Sequence, residues 1–343
     1  MSSVTERYSL FPIKDEESYK AFKMQECAMW SVNEIKFVED IPDYQSLTKR
    51  QKRPLDIALA FFLPGDGLVN KNIVLNFMNE TRSQEEFAAY AAQLYIETIH
   101  AETYGLIVNT LYTEEKIAEM AKMCENSKYM KAKFDFIEKW IHNDRPFVEK
   151  LLAFACVEGI SFSVLFAVIF WYRKMGKMKA LIFANALIAA DESMHRNYAC
   201  YLIMKYGGIS EERANEIINE LYGIEVEFIE WMIDELEEEE DEKDEKDEKE
   251  DELGDLTSDN LKEFLKLVTD SLRHRINLPT LFNAKNNMKW LDDIALIQKE
   301  NFFEIKGANY TRTSVSDAVN WKLRCGKVKT NEKVFTDPSS VDF

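Results

Sequence analysis

Apolar residues run along this chain in long blocks, with little strand-like alternation. LLAFACVEGISFSVLFAVIFW, residues 151–171, carries one formal charge, Glu158. LDIALAFFLPGDGLVN, residues 55–70, is apolar on nearly every side of a helix. Between Pro64 and Pro279 only Pro146 intervenes, and the span is rich in Ala, Leu, Glu, Lys and Met, which favour helix. No pair of alternating runs flanks an Asn-Gly or Asp-Gly hairpin turn; Asp66-Gly67 sits between continuous apolar runs. The pattern predicts an all-α chain with helices over 16–32, 46–70, 73–81, 83–112, 113–124, 129–142, 147–174, 177–206, 210–235 and 256–275. Pro64 should kink the second of these. Ser83 and Glu86 form a capping-box pair, and Gly207-Gly208 should stop the helix before it. These boundaries imply a loose N-terminus at 1–15, one helical domain over 16–300 and a polar, flexible tail over 301–343.

Charge alters this picture in one place. The chain of 343 residues has a net charge of -18, and fifteen acidic residues with three lysines fall within 234–252. The core of that run, DEKDEKDEK, repeats every three residues, which matches no helix face. It reads as a solvated, disordered insertion over 235–255, with a partner or cation site as the other reading. No basic stripe suggests nucleic acid. The five cysteines (27, 124, 156, 200 and 325) make no CxxC pair. With no signal-like start, the expectation is a reduced, cytoplasmic protein.

The 151–171 block is long enough to span a bilayer, but a lone buried carboxylate needs a proton, a cation or a metal. The histidines indicate which. There are four. His142 and His274 lie among charged residues. His100 follows Glu97 in YIETIHAETY, and His195 follows Glu192 in AADESMH, each as Glu-x-x-His on a mostly apolar helix. Three residues put the two side chains on one face, about 4.5 Å apart along the axis. Ferritin-like di-iron bundles use two such pairs plus one carboxylate from each of two further helices. Glu158 supplies one, and Asp66 is the candidate for the other, although an Asp before Gly67 could also simply form a turn. Four carboxylates are neutralised by two divalent cations, and without metal they would repel one another inside a bundle. The site is therefore read as a soluble di-metal centre rather than a membrane span. Oxygen-rich donors accept iron or manganese. Tyr104 lies one turn beyond His100 on the same face. Phe162 and Phe166, at i+4 and i+8 from Glu158, would wall that face, or serve as ordinary core.

With these residues in place, the chain closely resembles the small, radical-generating subunit of class I ribonucleotide reductase, in its eukaryotic or eukaryotic-virus form. The resemblance rests on FFLPGDGLVNKN, IETIHAETYGLI, the 151–171 block, NALIAADESMH and NFFEIKGANY, in that order, over about residues 10–310 and the extreme C-terminus. It implies a ferritin-like bundle in which Asp66, Glu97 and His100 bind one iron. Glu158, Glu192 and His195 would bind the other, with Glu97 bridging. It implies a di-iron centre that, with O₂, generates a stable radical on Tyr104, shielded by Phe162 and Phe166. It implies that Trp30, in CAMWSVNEIKF, passes an electron to the centre through Asp191, and that Tyr310 relays the radical to the large subunit. The tail SSVDF, ending at Phe343, would dock there. A homodimer reducing ribonucleotides to deoxyribonucleotides only in complex with that partner follows. Three features depart from the family pattern: Ala190 stands where it has Arg, the acidic run has no counterpart, and the stretch after Tyr310 is longer and carries Cys325 and Trp321, the latter an alternative to Tyr310 for the tail relay. An iron-storing ferroxidase or a di-iron oxygenase shares the ligand pattern but needs neither Trp30 nor a docking tail. A partner-stabilising paralogue would be expected to lack ligands, and none is missing.

Overall fold

The computed structural model describes residues 7–142, 144–238 and 253–285, with Met288 and Leu291. The described residues contain helices and no strand. In chain order the α-helices are α1 (Glu16–Ala28), α2 (Ile41–Gln45), α3 (Lys49–Asn72), α4 (Met78–Glu80), α5 (Gln84–Leu111), α6 (Glu114–Asn126), α7 (Lys128–Ile141), α8 (Phe147–Cys156), α9 (Phe162–Trp171), α10 (Lys179–Tyr206), α11 (Glu211–Glu238) and α12 (Ser258–Arg275). Helix α3 packs on α5, α10 on α8 and α9, and α11 on α7, α8 and α12. One continuous apolar core joins them.

Several predicted helices take a different form. The first ends at Ala28 rather than running to 32, because Met29 turns extended and Ser31 caps a separate short 3₁₀ turn, Val32–Glu34. Trp30 therefore sits on the connecting chain. The predicted 73–81 helix is a continuation of α3 through a π-turn, Ile73–Phe77. The 147–174 block is two α-helices joined by a second π-turn, Val157–Ser161, and Glu158 is on that turn. Phe147–Met175 is long and apolar enough to cross a membrane, yet 94% of its most apolar window is buried within the fold. Its hydrophobicity thus belongs to the bundle core.

Helix α3 runs unbroken through Pro54 and Pro64. Proline removes an N–H and leaves a carbonyl four residues back without its donor. The Ala60 carbonyl behind Pro64 accepts instead from the Cys124 thiol at 3.0 Å. Next to Pro54, the Tyr172 hydroxyl is spliced into the ladder: it accepts from the Leu55 N–H at 3.1 Å and donates to the Gln51 carbonyl at 2.5 Å. A capping box at Thr48 and Gln51 starts the same helix. Tyr172→Phe would leave the buried Leu55 N–H unmatched and should cost about 1–3 kcal/mol. A lowered urea midpoint with unchanged slope would show it, and an unmoved midpoint would refute the splice.

The capping box expected at α5 is half formed. Ser83 accepts from the Glu86 N–H, but the Glu86 carboxylate turns to the Arg82 N–H at 2.6 Å, Lys205 at 2.6 Å and Tyr206 at 2.6 Å. Helix α10 begins without a cap of its own; Asp40 accepts from the Ala180 and Leu181 N–H groups and Asp43 from that of Met178. These borrowed carboxylates satisfy amide donors that the helix start would otherwise leave open. They fix the start of the helix that carries Asp191, Glu192 and His195. At the N-terminus, the Lys14 N–H donates to Glu85, which also pairs with Arg7. Of the acidic stretch, residues 235–238 continue α11. Leu253 takes the Trp171 indole N–H on its carbonyl, and Asp255 pairs with Lys174. Residues 239–252 lie outside the described residues, as do Tyr310, Trp321, Cys325 and Phe343.

Candidate metal centre

Four elements bring six predicted ligands into one buried cluster. Asp66 comes from α3, Glu97 and His100 from α5, Glu158 from the π-turn, and Glu192 and His195 from α10. All six are at most 2% exposed. Donor atoms of Glu97, Glu158, Glu192 and His195 lie within 4.8 Å of one another. Each of the two glutamates from the Glu-x-x-His pairs spans both histidines. Glu97 approaches His195 Nδ1 at 2.9 Å and His100 Nδ1 at 3.3 Å; Glu192 approaches the same atoms at 2.9 Å and 3.0 Å. Asp66 feels the charge of His100, Glu97, Glu192 and His195.

The electrostatics are those of a site built for cations. Burial, reinforced by Glu192, Glu97 and Asp66, pushes the Glu158 carboxyl well above the usual range. Burial does the same to Asp66, where Glu97 and Glu192 add to it against the opposing pull of the histidines. For His195, burial favours the neutral ring, but Glu97 and Glu192 outweigh it and raise the imidazole to about 9. His100 is raised in the same way, against burial, by Asp191, Glu192 and Glu97. Protons thus compensate the carboxylates where metal would. Among the described residues, Asp66 Oδ2, Glu97 Oε2, His100 Nδ1, both Glu158 oxygens and Glu192 Oε1 are buried without a hydrogen-bond partner. Buried polar atoms normally have one. His100 Nδ1 and Glu192 Oε1 approach to 3.0 Å. The four-carboxylate, two-imidazole set suits a pair of iron or manganese ions.

Beyond the ligands, Asp191 joins two predicted residues. Its Oδ2 accepts from the Trp30 indole N–H at 2.8 Å and lies 3.1 Å from His100 Nε2. The indole stacks over the His100 ring at 6.2 Å and 24°. Both contacts stand with Ala190 beside Asp191. The arrangement is one-sided: His195 Nε2 is buried with no partner among the described residues.

Tyr104 is 1% exposed and its hydroxyl has no hydrogen-bond partner among the described residues. Burial, then the charges of Asp66, Glu192 and Glu97, hold the phenol well above its ordinary pKa, so it stays protonated. The ring stacked on it is Phe62, at 4.6 Å and 4°. Phe62 in turn stacks on Phe166 at 5.2 Å and meets Phe162 edge-on at 5.6 Å. The expected wall of Phe162 and Phe166 is present, and Phe62 is the member that sequence reading missed. Its signal was available: Phe62 precedes Asp66 by four residues, the same spacing that placed Tyr104 beyond His100. Gln93, four before Glu97, was missed too, and its amide donates to Glu97 Oε1 at 3.4 Å.

A family model described as "Ribonucleotide reductase, small chain" matches residues 7–288. The ribonucleoside-diphosphate reductase small subunit of Plasmodium falciparum is 30% identical over 317 residues, covering 92% of this chain and 94% of that protein. The small chain from variola virus is 32% identical over 312 residues, covering 90% and 92%. Among solved structures, the ribonucleotide reductase Rnr4 homodimer from Saccharomyces cerevisiae superposes with a TM-score of 0.71 at 26% identity, over 86% of this chain and 90% of that one. The dimanganese(II)-NrdF of Streptococcus sanguinis shares the fold, with a TM-score of 0.69 at 19% identity over 85% and 99%. A ferritin-like helical bundle with a buried Glu/His cluster, matched along most of its length by these proteins, belongs to the ribonucleotide reductase small-chain family.

Proposed function

We infer that this chain is the radical-generating small subunit of a ribonucleoside-diphosphate reductase, an oxidoreductase that makes deoxyribonucleotides together with a large subunit. The observation that carries the reading is one buried carboxylate–histidine cluster whose charges reach the buried Tyr104 and from which the Trp30–Asp191–His100 contact leads. The family match favours it over an iron store or an oxygenase. We assign Asp66, Glu97 and His100 to one metal ion, and Glu158, Glu192 and His195 to the other. Glu97 and Glu192, each reaching both histidines, suit bridging positions. Iron is the proposed metal. When bound, it would supply the O₂ chemistry that oxidises a nearby group by one electron.

The chain's own residues direct that chemistry. Tyr104 holds its proton until oxidised, and loses electron and proton together. Asp66 is first among the charges acting on the phenol. Phe62, Phe162 and Phe166 exclude water and reductants from the ring. Asp191 Oδ2 couples the Trp30 N–H to the His100 ring, giving the electron a path of two short contacts. We propose that Tyr310 and the tail ending at Phe343 carry the radical to, and dock on, the large subunit, and that the chain works as a homodimer. The expected result is a tyrosyl radical signal by electron paramagnetic resonance after anaerobic Fe(II) loading and exposure to O₂. Trp30→Phe should take up the same iron and lower the radical yield about tenfold or more. Iron uptake with no radical in the unmodified chain would refute the assignment.

A further inference from the structure

Glu158 poses a problem of support. Its carboxylate lies among Glu192, Glu97 and Asp66, and its direction follows from the backbone that carries it. That backbone is a π-turn, whose extra residue widens the helix, a feature found mostly at functional sites. Two side chains from neighbouring helices grip the turn. On one side Arg196 of α10 lies against Gly159, so close that a Cβ there would meet Arg196 Cγ at 2.9 Å. On the other, the Ser161 hydroxyl donates to Glu225 Oε1 of α11 at 2.6 Å.

Glu225 is itself fixed. Lys133 of α7 pairs with both its oxygens at 2.9 Å, and the ammonium lies 4.4 Å from the Phe61 ring centroid and 4.2 Å from that of Phe228. Ser161, Glu225 and Lys133 are each at most 1% exposed. A buried ion pair is a poor source of stability, since apolar residues of similar volume often serve as well or better. Its distinctive property is directional: a bidentate pair, clamped between two rings, offers the serine one acceptor at one place.

We propose that Ser161, anchored by the Glu225–Lys133 pair, is a positioning residue for Glu158 that sets the angle at which this carboxylate meets the metal. The anchor also reaches the radical side of the site. Phe61, under the Lys133 ammonium, packs edge-on against Phe62, the ring stacked on Tyr104, and against Phe162. One ion pair thus braces the ligand turn and the aromatic wall together.

The inference rests on the di-metal reading, and the test separates the two. Fe(II) is titrated anaerobically into the full chain against a competing chelator, and the loaded, reduced protein is examined by near-infrared magnetic circular dichroism. If the unmodified chain fails to bind two Fe(II), the di-metal reading itself falls. If it binds them, Ser161→Ala should weaken Fe(II) affinity about tenfold or more and shift the ligand-field bands, with Ser161→Thr restoring both. Wild-type affinity and bands in Ser161→Ala would overturn the proposal. Should charge left behind complicate folding, the triple variant Ser161→Ala, Lys133→Met, Glu225→Leu removes the whole network. Shifted bands in a folded triple variant support the positioning role, and unshifted bands reduce the network to a staple of the fold.

Discussion

Tyr104→Phe should bind the same two metals as the unmodified chain, fold at least as stably, and give no tyrosyl radical. The change removes one oxygen atom. That hydroxyl is buried and makes no hydrogen bond, so deleting it breaks nothing and relieves an unmatched polar group. The ring remains to stack on Phe62 at 4.6 Å. No ligand is disturbed. What is lost is the phenol proposed to give up an electron and a proton together. Nucleotide reduction with the large subunit should fall to background. Most substitutions of a fully buried aromatic mix structural and chemical effects; here the two separate. Thermal unfolding, iron analysis and the resonance spectrum, taken on one preparation, check the three parts. A residual radical of unchanged line shape would place the radical on another residue and overturn the assignment of Tyr104.

The parts of this site legible in the sequence are those fixed by short-range geometry. Glu97 with His100 and Glu192 with His195 share a helix face because of helical pitch alone, and Tyr104 follows by one further turn. Asp66 and Glu158 were legible as charges with no business in apolar blocks unless something paired with them. What escaped was set by contacts distant in the chain. No local pattern says that Tyr172 will mend the helix at Pro54 or that Cys124 will serve the carbonyl behind Pro64. Nor does an apolar run reveal that one residue too many will open a π-turn at Glu158, since such a run has no periodicity to violate. Trp30 was recognised by resemblance and placed at the end of a helix; it lies beyond that end, where Asp191 from α10 can reach it. Lys133, Ser161 and Glu225 fall on three different elements, and only the fold brings them together.

Glu158→Gln should abolish two-metal binding and, at the same time, leave the metal-free protein as stable as before or more so. The two halves have one cause. Without metal, Glu158 is a carboxyl group in a dry site beside Glu192, Glu97 and Asp66, and burial with those charges makes its ionised form unfavourable. A glutamine of nearly the same shape carries no charge, and its amide can donate to Glu192 where two carboxylates must otherwise share a proton. An ordinary core substitution that removes a function costs stability; this one replaces a carboxyl that must hold a proton with a neutral amide of nearly the same shape. The metal-bound state behaves in the opposite way. Ligands that bind only the folded chain stabilise it by mass action, about 2.7 kcal/mol for a site at a hundredfold excess over its dissociation constant. The unmodified chain should therefore melt several degrees higher with anaerobic Fe(II) or Mn(II), and Glu158→Gln should lose at least one site's share of that rise. Metal stoichiometry and melting curves with and without metal test both halves. Two metals per chain and an undiminished rise in the variant would show that Glu158 is not a ligand. A large fall in the melting temperature of the metal-free variant would show that its carboxylate supports the fold rather than straining it.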